Sequence, residues 1–203
     1  CNSGANITTA SANTIVGSTA GDALTTGANN VVLGTFALGT ATTALNNVFI
    51  GKSTGEDIPA SQALNGVVAI GWEAFKGSGS TTTGADGTIS IGYESLKSLT
   101  TGSGNIAIGY QCGDALTTGV SNTFIGYQSG SSVTNNNNNT YVGYNSGFQN
   151  TGEKNVAVGN HTMKNGSGAG SHNTALGSSA LYGLTSGEKN IAIGVEALND
   201  VTD

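Results

Sequence analysis

The chain contains no arginine and only six lysines, against twelve Asp and Glu. A nucleic-acid-binding face needs clustered cations to displace counterions, so no nucleic-acid partner is expected. Charged residues make up 9% of the 203 positions, where an ordinary soluble domain carries roughly 25%. Proline, methionine and tryptophan occur once each. Disorder usually comes with high net charge and much Pro, Glu and Lys, and these are scarce. Collagen needs Gly at every third position and abundant Pro. A helix bundle needs strong helix formers, and Gly, Thr and Asn are poor ones. No apolar run approaches the ~20 residues of a membrane span, so no direct membrane insertion is expected, and no signal peptide is visible. The two cysteines, Cys1 and Cys112, form no recognisable disulfide or metal framework. A chain that begins at Cys1 reads as a processed or truncated product. A mature lipoprotein also begins with Cys, but no lipobox is seen here.

What is abundant is glycine, at 33 positions, together with Thr and Asn. That points to a β-rich, turn-rich chain, and its order is repetitive. An aliphatic-Gly step recurs eleven times, at Gly17, Gly34, Gly51, Gly71, Gly92, Gly109, Gly126, Gly143, Gly159, Gly177 and Gly194, spaced by 16 to 21 residues and most often by 17. The repeat covers the chain, so residues 1–203 read as a single repeat domain.

Aligned on that glycine, each column has a character. The preceding residue is always Val, Leu or Ile, and the one three before is Val, Ile or Thr. The residue between them is often Ala, as in Ala107 and Ala157. Four before the glycine stands Asn in nine coils, among them Asn105, Asn122, Asn155, Asn173 and Asn190. Three after it the residue is always small, including Cys112, which reads as a buried thiol in a slot otherwise held by Ser, Thr or Ala.

Asn-Ile-Ala-Ile-Gly is a short strand of period two, with the two large aliphatics on one face and Ala on the other. Neither face is polar, so burial on both sides is expected, as in a parallel sheet. The Gly ends the strand where a backbone comes close. A second apolar signal seven residues after the Gly (Leu24, Ile58, Leu99, Leu116, Val133, Leu184, Val201) predicts a second, outer strand. Thr-Thr-Gly turns then bring the chain back. Eleven coils stacked at ~4.8 Å give a rod of about 50 Å. The Asn column predicts a ladder of amides, each bonding the next. Two long coils, at 52–66 and 77–87, bulge from neighbouring rungs, where binding specificity tends to sit. The aliphatic stripe needs a partner and no capping helix is seen at either end, so oligomerisation along the stripe is expected, with neighbouring protein continuing the stack.

The stretches Asn105 to Gly109, Asn155 to Gly159, Asn173 to Gly177 and Asn190 to Gly194 resemble the YadA-like head repeat of trimeric autotransporter adhesins, and similar repeats of phage tail-fibre proteins. The resemblance implies an all-β, left-handed parallel β-roll of about eleven coils, three chains around one axis, and attachment outside the cell or virion. The coils here are longer than the adhesin's, and no stalk or membrane anchor is seen. A hexapeptide acyltransferase helix would need three hexapeptides per coil, and only one is clear.

Chemistry is sparse, and no catalytic residue, metal site or cofactor is expected. His161 and His172 stand alone and read as exposed loop residues. Asp22 and Asp114 fall in equivalent turns. Glu73, Glu94 and Glu196 share a column; Glu73 and Glu94 could hold a cation between rungs, but a solvated face fits better. The column just after the rung Gly reads Trp72, Tyr93, Tyr110, Tyr127 and Tyr144 in five consecutive coils. Stacked rings there either stiffen the rod or offer a flat strip to sugar rings, with Glu73, Gln111, Gln128 and Asn145 beside it as hydrogen-bonding groups. The expected function is a non-enzymatic homotrimeric fibre that meets a host-surface glycan or protein receptor. The alternatives are a solenoid binding polysaccharide or ice, and an open-ended filament of stacked subunits.

Overall fold

The computed structural model describes residues 3–60, 63–77, 84–165 and 170–199. Cys1, Val201 and parts of the two long coils (61–62 and 78–83) lie outside the described residues. Eleven strands of three residues each, from β1 (Thr14–Val16) to β11 (Ile191–Ile193), form one parallel sheet in strict chain order. Registers match the repeat: Ala107 lies beside Phe124, which lies beside Tyr141. Each coil contributes one strand, so the chain is an all-β solenoid with turns of about 17 residues, and no helix occurs among the described residues.

Among the described residues the second, outer strand is absent. Leu24, Ile58, Leu99, Leu116, Val133 and Leu184 all lie outside strands, yet all six are fully buried. They are core anchors on the turn side. The backbone before them cannot stay extended. In every coil the residues two and four after the rung Gly have positive φ, as Gln111 (47°) and Gly113 (59°) or Glu94 (52°) and Leu96 (47°) do, and left-handed residues break a pleat.

The two faces of the strand differ in burial. The middle residue of the strand points inward and is fully buried in Val32, Phe49, Ala69, Ala107, Phe124, Tyr141, Ala157 and Ala175. The two flanking aliphatics point outward and stay half-buried or exposed in the single chain. The reason is volume. A coil with one strand has a narrow interior, already filled by the residues three, four and seven after the Gly.

That interior is packed by complementary pairs. Where the middle strand residue is large, the residue four after the Gly is glycine: Phe49 with Gly55, Phe124 with Gly130, Tyr141 with Gly147. A Cβ on Gly147 would lie 2.2 Å from the Tyr141 ring. Where the strand residue is small, the later one is large: Ala69 with Phe75, Ser90 with Leu96, Ala157 with Met163, Ala175 with Leu181. The coil of Gly109 has two small residues, Ala107 and Gly113, and its space is filled from its neighbours. A Cβ on Gly113 would meet Phe124 at 2.8 Å and Leu96 at 3.0 Å. Such packing keeps interior density high without a second sheet.

The rung glycines have two constraints at once. Their φ lies between 125° and 143°, a region that L side chains rarely adopt. In addition, a Cβ on Gly109 would stand 2.3 Å from the carbonyl oxygen of Gly126 in the next coil.

The Asn ladder forms, but each amide bonds mainly to the backbone of the next coil. Asn122 Oδ1 accepts from the Asn139 backbone N–H (2.9 Å), and its Nδ2 donates to the Asn136 carbonyl (2.9 Å). Asn155 and Asn173 repeat this toward Gly170 and Gly187. Asn105 Nδ2 donates to Gly119 O, and its Oδ1 accepts from the Asn122 N–H. Asn190 receives the bond from Asn173 through its backbone N–H. Direct amide-to-amide bonds join Asn13, Asn30 and Asn47, and Asn105 with Asn122. These bonds satisfy backbone groups that a turn would otherwise leave unpaired inside the protein. A parallel ladder runs eight residues after the Gly: Thr100 Oγ1 donates to Thr117 O, and Thr117 Oγ1 to Thr134 O, both at 2.8 Å.

Candidate functional site

The aromatic column assembles as a ladder because consecutive coils place it one rung apart. Tyr93, Tyr110, Tyr127 and Tyr144 stack with ring centroids 5.1, 5.1 and 5.2 Å apart and planes within 13°. Trp72 meets Tyr93 edge-on at 5.5 Å, and Lys52 Nζ lies 5.0 Å from the centroid of its ring, a cation–π contact. At the other end Tyr144 meets His161 at 5.3 Å. His161 is therefore not an exposed loop residue but the continuation of the ladder, and burial lowers its pKa, with Lys164 adding to the effect. His172 is exposed, as expected.

Stacking decides what the strip can offer. In a parallel stack each ring covers its neighbour's face, so the outer surface consists mainly of ring edges and phenol oxygens. Trp72 (49% exposed) and Tyr144 (47%) are the most open. Sugar rings pack on aromatic faces, and here the interior faces of the stack are already paired. The neighbouring polar column is also engaged. Gln111 Nε2 donates to Glu94 Oε2 at 2.9 Å, and Gln128 Nε2 donates to Gln111 Oε1 at 3.0 Å. Asn145 is 7% exposed, too buried to line a surface strip.

The acidic column has cations of its own. Glu94 lies 3.0 Å from Lys97, and Glu73 lies 3.7 Å from Lys76. The Gln111 amide and then Lys97 hold the Glu94 carboxyl below its usual pKa, and its hydrogen bond raises Lys97 in turn. The same carboxylate, as a hydrogen-bond partner, pushes the Tyr93 phenol up. Asp114 is raised by burial, against the Ser131 hydroxyl that donates to it at 2.6 Å. No group of three or more His, Cys, Asp or Glu able to hold a metal occurs among the described residues. Cys112 is buried and free, with its thiol pushed up to about 12 by desolvation, so it carries no thiolate at neutral pH.

Two surfaces remain. One is the outer face of the sheet, where Val, Ile, Leu and Thr alone occupy the flanking strand positions of all eleven coils. Ile108, Ile125, Val156 and Leu176 are exposed along it. The sequence already shows this stripe as one that needs a partner, and the single chain leaves it uncovered. The other is an open cleft of about 460 Å³ beside the long coils, lined by Asp57, Glu73, Lys76, Lys97, Thr100 and Thr117 among others. Its residues come from several columns of successive coils and were not grouped in the sequence. Comparison with family models, curated proteins and solved structures finds no match.

Proposed function

We propose that the chain is one member of a homotrimeric fibre segment, outside a cell or on a virion, which holds a receptor-binding surface away from its base. The uncovered outer face of the sheet is the observation that carries this reading. Parallel sheets are normally covered on both sides, and no element of the described chain crosses this one. The stripe is about 50 Å long and about 10 Å wide, or roughly 500 Å² by strand spacing and rise. That reaches the size of the largest apolar patch on a typical monomer, about 300–600 Å². Two copies meeting on the stripe alone would each bury less than the ~800 Å² per partner of a stable interface. Three copies around one axis also bring the strip's flanking corners against each neighbour. The repeat's resemblance to adhesin heads and tail fibres agrees with this arrangement. A rigid rod bearing three copies of every surface feature suits weak, multivalent attachment to a glycan or protein receptor.

Sedimentation of the purified chain tests the assembly. A species of three times the 20.0 kDa chain mass is expected. The double variant Ile108→Lys, Ile125→Lys is expected to lose that species. A soluble, folded monomer of the unaltered chain overturns the reading.

A further inference from the structure

The cleft beside the long coils differs from the rest of the rod, because three of its charged groups are close but not joined. Lys76 Nζ lies 3.9 Å from Asp57 Oδ2 and 3.7 Å from Glu73 Oε1. Both distances exceed a hydrogen bond. One rung on, the equivalent pair of Lys97 and Glu94 is closed at 3.0 Å. Lys76, Asp57 and Glu73 thus keep unspent hydrogen-bonding capacity: three N–H donors on one side, two carboxylate acceptors on the other. They line one concavity with the hydroxyl-bearing turn residues Thr100 and Thr117.

A ligand that satisfies this set must both donate to a carboxylate and accept from an ammonium within a few ångströms. A pair of adjacent sugar hydroxyls does both. A phosphate or a lone carboxylate is mainly an acceptor and would meet two acids; a simple cation would meet Lys76 and Lys97. The cleft is also too open and polar for an apolar ligand, since pockets for those are enclosed and mostly hydrophobic. We infer that this cleft binds a neutral saccharide through vicinal hydroxyls, with Asp57 and Glu73 accepting and Lys76 donating. None of its lining residues belongs to a strand, so the cleft is separate from the sheet's outer face. In the fibre this site is the receptor-binding feature, present three times per segment; that use rests on the trimer reading, whereas the binding itself does not.

Saturation-transfer NMR on the full chain tests it, with maltose, lactose and N,N′-diacetylchitobiose as neutral probes and sialyllactose as an anionic one. Transfer to at least one neutral probe is expected, with at least a fivefold loss of affinity in Lys76→Met and in Glu73→Gln. Lys164→Met, in another part of the rod, is expected to bind as the unaltered chain does. Circular dichroism of each variant separates lost binding from lost fold. Silence with all neutral probes, binding of sialyllactose alone, or equal binding in Lys76→Met and Glu73→Gln each overturns the inference. Sedimentation of the same samples keeps the outcomes apart: a trimer that binds no sugar removes this site and leaves the fibre reading standing.

Discussion

The coils of Gly109, Gly126 and Gly143 differ from those of Gly71 and Gly92 in the column four residues before the glycine. The first three carry Asn105, Asn122 and Asn139, each tied to the next coil by its side chain. The other two carry Val67 and Thr88 instead, both fully buried. They are also the coils that follow the two long insertions, and the cleft lies beside them. Strand register and the glycine corner continue unchanged through both regions: Gly92 N–H still donates to Ile70 O, as Gly126 N–H does to Ile108 O, each at 2.8 Å. The sheet and the corner therefore form the spine, and the Asn side chains fasten the turns to it. Where the fastening lapses, coil length varies and a concavity appears.

The sharpest way to break the regular region is at its corner. Gly126→Ala places a Cβ 2.4 Å from the Gly143 carbonyl oxygen at a φ of 132°, and is expected to cost about 3 kcal/mol or more, read from the urea midpoint. Next, Asn122→Ala leaves the Asn139 N–H and the Asn136 carbonyl without their partner. A loss of about 2 kcal/mol is expected, and a smaller one would mean that the ladder is ornamental. The opposite change sharpens the comparison in the interrupted region. Thr88 Oγ1 is buried without a partner, so Thr88→Asn should extend the ladder and raise stability by about 1 kcal/mol. The smallest effect belongs to Gly87→Asn. Its φ of 67° suits Asn, and a Cβ there meets nothing within 4 Å, so a change within about 0.5 kcal/mol is expected. The same amino acid is thus indispensable at one column and replaceable at another.

A pH measurement adds a check on the interior. The folded Cys112 thiol, at about 12, lies above the ~8.5 of an unfolded cysteine. Between those values the unfolded chain has lost a proton that the folded chain keeps, so stability falls as pH rises through that window. Cys112→Ser, which matches Ser95 and Ser129 in the same column, should flatten that fall in the thermal midpoint and change little at pH 7.

Much of this was legible in the sequence, for a physical reason. The rung Gly, the Asn ladder and the small column each restrict residue type directly, through a close backbone, an unpaired turn or a narrow interior. Facing was not legible from periodicity alone. Period two says that Ile106 and Ile108 share a face, but not which face is inward. The deciding signal was the inverse size of residues six apart, such as Tyr141 with Gly147 and Ala157 with Met163. The aromatic column was readable as a ladder, whereas the covering of its ring faces follows from plane angles that no spacing reveals. The Thr column looked like turn residues, and its hydrogen bonds emerged only when successive turns were superposed. The cleft needed three-dimensional placement, because Asp57, Lys76 and Thr117 come from coils of unequal length.

The paired volumes of the interior have one more consequence. A rod built from near-identical coils has translational symmetry: a segment could slide by a whole repeat and recover the same strand pairing, the same glycine corner and most of its Asn bonds. The uniform outer face of the sheet would not resist such a slip, and β structures with weakly specified register are prone to it. Inside, the order of sizes is irregular. If the strand holding Phe124 moved up against the turn holding Met163, two large groups would claim one space; Ala157 against Gly130 would leave a hole. The alternation of large and small works as an address written along the axis, by which each coil recognises its own place.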